Sequence, residues 1–373
     1  MRNRVQVWLA MLLSGMVLAG CAGAAAGTFN RDTSSDMMAA VTSVPAKTQL
    51  VKQTQTFQPE DGIKLTQMPL LAYMRRMLHE STRSIFLQEE LDMIPFLVID
   101  GIQLNALDEV VYFSNLESLT LRNTAVIDLT PLTKISGLNT LTLENNHEMD
   151  LSTLPKMDGL TVLTLKNNDL MDAAVLQSVK NLQSLSIDQT LLPDQSALDG
   201  LTKLTELSLR WDRLKQNAKL DAIGTLPALR KLTLAGGAEK KPRDYAFLSS
   251  LKNLEELSVT CNSVDELQTL PKLPCMKRLE LAGNLDGVLP LEKQTQLTAL
   301  TLNTAHVRSV KPLTKLRGLT ELTLLNCSAA DLDVLADMPW LKVLAVTGKG
   351  ILKPLAKLSE QLPNTRIETT RPK

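Results

Sequence analysis

The run Leu116-Glu-Ser-Leu119-Thr-Leu121 returns as Leu138-Asn-Thr-Leu141-Thr-Leu143 and again as Leu160-Thr-Val-Leu163-Thr-Leu165. Further copies start at Leu182, Leu204, Leu229, Leu254, Met276, Leu297, Leu319 and Leu341, nearly all 22 residues apart, with two steps of 25. A weaker copy (Ile94, Leu97, Ile99) precedes them and another lies in Leu362 to Ile367, which makes about 13 units. Self-similarity at this period excludes a single closed core and demands a stack of small units, each burying its apolar side on its neighbours. Composition agrees. Leu fills 73 of 373 positions while aromatics make up only 3%, whereas one large core needs a mixture of side-chain shapes.

Within each unit the L-x-x-L-x-L run alternates as a short strand does, so its second and third apolar residues share a face. A polar or small residue follows three or four positions on: Thr124, Asn146, Asn168, Thr190, Asp212, Asn262, Asn284 and Cys327. The return halves, such as Val126-Ile-Asp-Leu129-Thr-Pro131-Leu132 and Val307-Arg-Ser-Val310-Lys-Pro312-Leu313, place proline where it favours a 3₁₀ or extended turn over a full helix.

Over roughly residues 85–370 the pattern resembles the leucine-rich repeats, and the return halves resemble the 22-residue type of internalins and related bacterial surface proteins. The resemblance implies an α/β solenoid: a right-handed superhelix with a parallel concave sheet about 60 Å long, a mostly 3₁₀ or extended convex side and a helical N-terminal cap. It also implies that the polar position forms a ladder bonding the loop backbones, with Cys327 an accepted member. Residues 66–80 supply the cap helix, with Pro69 in its first turn and Leu71, Met74 and Leu78 on one side. A short, polar C-terminal closure is expected in Leu362 to Lys373.

The N-terminus reads as an address. Arg2 and Arg4 precede an apolar stretch from Val5 to Leu18 that is short for a membrane span. Leu18-Ala19-Gly20-Cys21 resembles the bacterial lipobox, which implies cleavage before Cys21 and a diacylglycerol on its sulfur. Residues 1–20 are then a lipoprotein signal peptide, 21–58 a flexible tether, 59–93 the helical cap and 94–373 the repeat domain. Two or three acyl chains anchor stably. The expected location is the bacterial cell envelope, at the outer membrane or cell surface.

Chemistry is sparse. The formal net charge is zero, without the basic excess of a nucleic-acid binder. His79, His147 and His306 are scattered and no phosphate-binding glycine loop or G-x-S-x-G occurs. Neither an enzyme nor a cofactor or metal is expected, and the chain is read as a monomer. Cys261 falls just past one strand and Cys275 just before the next, roughly 20–25 Å apart at about 3.3 Å per residue, so free thiols are expected.

Function is therefore sought on the surface, with protein partners. The middle exposed strand position reads Thr120, Thr142, Thr164, Ser186, Ser208, Thr233 and Ser258, a hydroxyl-rich floor suited to protein or glycan, or simply good strand chemistry. Beside it, Arg230-Lys231, Glu255-Glu256 and Lys277-Arg278 alternate in sign over three copies. They are either cross-strand ion pairs on a solvated face or a charge pattern that selects a partner. Arg210 and Trp211 follow the fifth strand, opposite Gly236-Gly237, and Lys240 and Lys241 sit in a nearby loop. Trp211 is a candidate hot spot or a lid over its own loop. Tyr245 aligns with a buried return-half leucine. Internalins use aromatic-rich concave faces on host receptors, and this face has almost no aromatics, so host invasion is not carried over. The readings are a lipid-anchored protein-binding module and, as the alternative, a scaffolding or glycan-binding envelope lipoprotein.

Overall fold

The computed structural model describes residues 62–101, 103–146, 149–168, 173–188, 195–210, 221–236, 244–304, 306–327, 330–348 and 352–369. The leader, the tether and Cys21 therefore lie outside the described residues, as do His147, Trp211, Lys240 and Lys241.

In the compact unit Ile63–Lys373, thirteen parallel strands stack in strict sequence order, from Phe96–Asp100 to Arg366–Glu368. Each leucine run forms one strand, paired residue for residue with the next, as Leu119 with Leu141 and Leu141 with Leu163. The inward leucines Leu119, Leu141, Leu163, Leu185, Leu207 and Leu232 are at most 2% exposed. Each buried Leu contributes about 1.5–3 kcal/mol, and the repeat delivers the same contact at every step, the two 25-residue repeats included.

The N-terminal end is closed by a strand pair, Ile63–Lys64 with Ile85–Phe86, and by helices α1 (Met68–Leu78) and α2 (Gln88–Asp92). Leu70, Leu71 and Met74 of α1 are buried, whereas Leu78 is only partly so. No side chain of its own caps α1. Glu109, on the first repeat, accepts the N–H groups of Thr66 (2.8 Å) and Gln67 (3.0 Å) instead, placing an anion at a helix N-terminus. His79 ends the helix in the left-handed conformation.

Return halves are mostly 3₁₀ turns, as at Thr130–Lys134, Leu289–Lys293 and Lys311–Lys315, where proline occupies the first turn. Among the described residues three are α-helical: α3 (Asp221–Gly224), α4 (Val264–Gln268) and α5 (Leu352–Gln361). At α4 the N-cap is Ser263, and Glu266 ties down the residue before it. Ser263 Oγ accepts from the Glu266 N–H at 3.2 Å, and Glu266 returns a carboxylate to the Asn262 N–H at 2.8 Å. At the far end α5 was not foreseen. Leu355, Leu358 and Leu362 are buried there, and Arg366–Glu368 adds the last strand.

The polar ladder is real but shorter than expected. Asn146 Oδ1 accepts from Thr124 N (2.9 Å) and Oγ1 (2.7 Å), and its Nδ2 donates to Leu121 O. Asn168 repeats the arrangement, receiving Asn146 N–H and donating to Leu143 O. Asn262 is only part-buried and Asn284 is exposed, which corrects the reading of both as ladder members. The reason lies one residue earlier, in a turn position held near φ 50–58° at Asn123 (50°), Asn145 (54°), Asn167 (50°) and Asn326 (58°) but at 114° in Gly283. Cys261 and Thr304 hold that position in their repeats without positive φ, which costs a β-branched residue such as Thr dearly. Both turn inward instead, Cys261 to 0% and Thr304 to 5% exposure. Beside Gly283, Leu285 takes the buried slot. Thr190, Asp212 and the Cys327 side chain fall outside the described residues.

Tyr245 is buried as expected, its hydroxyl donating to Thr260 O at 2.7 Å. Cys261 is buried, its thiol 3.3 Å from Ser263 O, while Cys275 is exposed, and no disulfide joins them. Among the described residues no helix is long and apolar enough to cross a membrane.

Candidate functional site

Because strand side chains alternate, residues one, three and five of each five-residue strand face outward and two and four inward, and the strands from Ser118–Arg122 to Glu256–Thr260 all show this pattern. Successive strands are in register, so three rows run along the exposed face. The middle row is the hydroxyl series Thr120 to Ser258. It is interrupted at Glu280, whose carboxylate accepts from Ser258 Oγ at 3.3 Å.

The charges singled out in the sequence meet one another. Glu255 lies between Arg230 (2.6 Å) and Lys277 (2.8 Å). Glu256 lies between Lys231 (3.8 Å) and Arg278 (3.9 Å), and Arg278 reaches over the strand of Ala299 to Glu321 at 3.2 Å. The hydrogen bond and charge of Lys277, and then those of Arg230, hold the Glu255 carboxyl below its ordinary value. Arg210 stands 3.6 Å from Asp188. These pairs lie on a solvated face, where water screens each of them and leaves it weak. Trp211, Lys240 and Lys241 lie outside the described residues, so this geometry does not bear on the proposed aromatic patch.

A second charge series escaped the sequence reading. The last outward row reads Asp100, Arg122, Glu144, Lys166, Asp188 and Arg210, each 22 residues after the one before and opposite in sign. Glu144 is gripped from both sides, by Arg122 Nε at 3.0 Å and Lys166 Nζ at 2.6 Å. An asparagine row runs beside it at the positive-φ turns. Asn123 donates to Asp100, Asn145 to Asn123 and Asn167 to Asn145, at 2.6, 3.0 and 2.8 Å. The signal of the charge row in the sequence is a period-22 alternation of sign at the fifth strand position, just after the last apolar residue of each run. The two charged rows change places at Glu206–Arg210, which carries a charge in each.

No protein-family model matches the chain. Among solved structures, an internalin (inlF) from Listeria monocytogenes is 22% identical, covering 82% of this chain and 90% of its own, with a TM-score of 0.56. This is the leucine-rich-repeat fold. A Listeria monocytogenes internalin C2 (24% identity, 63% and 93% covered, TM-score 0.40) and a Leptospira interrogans leucine-rich-repeat protein (15%, 75% and 91%, 0.43) also match. On this leucine-rich-repeat sheet, cations and anions neutralise one another along both charged rows, and three or more His, Cys, Asp or Glu side chains nowhere gather at metal-binding distance among the described residues. What the face offers chemically is an extended, directional array of hydroxyls and paired charges.

Proposed function

We propose that the chain is a lipid-anchored protein of the bacterial cell envelope that binds a protein partner through the exposed face of its sheet and the loops beside it. The observation that carries the binding half is the stack of thirteen parallel strands, in register from Phe96–Asp100 to Ala299–Asn303 and shifted only near Cys327, which holds the hydroxyl row and the flanking charges at fixed spacings. A partner's backbone and polar side chains can meet such an array over a standard interface of about 800 Å² per side. Self-neutralised charges suit specificity by local matching more than long-range steering. The anchor rests on Arg2, Arg4, the apolar stretch and Cys21, and the envelope location follows from it. The internalin match of this fold supports an interaction role; it supplies no partner.

Photo-crosslinking in intact cells tests the binding half. A crosslinking amino acid at Thr164, on the face, is expected to trap a discrete envelope protein, and one at Thr133, in a return turn, is not. Adducts from Thr133 alone, or from neither, would reject the assignment. Labelled palmitate tests the anchor: incorporation is expected in the natural chain and absent after Cys21→Ser.

A further inference from the structure

A cleft of about 390 Å³ opens beyond the ends of the strands Glu256–Thr260, Arg278–Ala282 and Ala299–Asn303, lined by Asn262, Asn284, Asp286, His306 and Arg308. It lies where the polar ladder fails. With Cys261 and Thr304 turned inward and Gly283 at φ 114°, Asn262 and Asn284 leave the ladder, Asn284 for an exposed position and Asn262 for a part-buried one. Gly283 is required there, since a Cβ would come within 2.6 Å of Cys261 O.

The polar groups are unequally satisfied. Asn262 Nδ2 is buried without a hydrogen-bond partner, a donor whose burial costs about 1–3 kcal/mol unless something accepts from it. Asp286 Oδ1 accepts the Val264 N–H at 3.2 Å. The exposed side chains of His306 and Arg308 make no hydrogen bond or ion pair with a described residue. On the sheet face, by contrast, Arg122, Lys166, Arg230, Lys277 and Arg278 each have a carboxylate. A cation without one, beside spare amide donors in a concave site, has the donor set for a negatively charged group with several acceptor oxygens.

We propose that this cleft binds a small oxyanion, a carboxylate or a phosphate, with the Arg308 guanidinium as its charge partner, Asn284 and His306 as further donors and Asn262 in the cleft wall. The volume, at the low end for ligand sites, suits a metabolite-sized anion or one acidic side chain of a larger molecule. Asp286 opposes the charge of such a ligand, which gives the test a sign.

Titrations of the full chain with succinate and with inorganic phosphate, followed by calorimetry and by the side-chain amide resonances of Asn262 and Asn284, decide the matter. Saturable binding of one or both is expected, and their ranking tells a carboxylate site from a phosphate site. Arg308→Gln should weaken it about tenfold, the scale of one charge-assisted contact, and Asp286→Asn should strengthen it. Lys315→Gln, in a return turn, should change nothing. No saturation by either anion at tens of millimolar, indifference to Arg308→Gln, or loss of binding on Asp286→Asn would overturn the proposal. Thermal melts of each variant separate lost binding from lost folding.

Discussion

Asn146 shows how much a single side chain can do in a repeated structure. It receives two hydrogen bonds from Thr124 and gives one to Leu121 O, all buried. Asn146→Leu should fill similar space yet strand the Thr124 N–H and Leu121 C=O, at about 2–4 kcal/mol for two unsatisfied groups; a urea midpoint unchanged by it would refute the ladder's role. Glu255 offers a charge test. Its folded carboxyl is depressed chiefly by Lys277, so the associated stabilisation is present above the ordinary Glu range and lost as pH falls through the folded value. Lys277→Met should raise that value more than Arg230→Met does, read from the side-chain carboxyl carbon in an NMR titration.

Among the elements, strands and cap were the most legible from sequence, because leucine spacing and helical periodicity report directly on which side is buried. Turns were less so. The Ser263 cap is visible in the sequence, but its consequence, an α-helix among 3₁₀ turns, also uses the Asn262 N–H, which Glu266 accepts once Asn262 has left the ladder. That departure follows from what Cys261 does in space. The last-row charge alternation is legible in the sequence only at the fifth strand position, beyond the leucine run that defines the repeat. Its energetic weight should exceed that of the row containing Glu256. Glu144 is 17% exposed with partners at 3.0 and 2.6 Å, whereas Glu256 is 44% exposed with partners near 4 Å. Glu144→Gln should therefore cost about 1 kcal/mol and Glu256→Gln close to nothing, compared by denaturant midpoints.

For the molecule as a whole, each repeat touches its sequence neighbours and little else, so stability is close to a sum over adjacent pairs. Leu163→Ala should cost about 2–5 kcal/mol. Hydrogen exchange should then accelerate first in Val162–Lys166 and its neighbours Thr140–Glu144 and Ser184–Asp188, while Arg278–Ala282 keeps its protection. Uniform acceleration along the chain would instead mark one cooperative unit. Sequence by itself determined the number of strands, their order and their inward residues, because a fixed period in leucine admits one repeated burial contact. It also determined that Arg230, Glu255 and Lys277 would be neighbours, since each directly follows the first apolar residue of its own repeat (Leu229, Leu254 and Met276) and so holds the same place on adjacent strands. Tertiary structure alone decided which asparagines join the ladder and where the cleft opens. Those outcomes turn on the backbone conformation of single turn residues, Cys261, Gly283 and Thr304, and on what the preceding repeat leaves for them to fill.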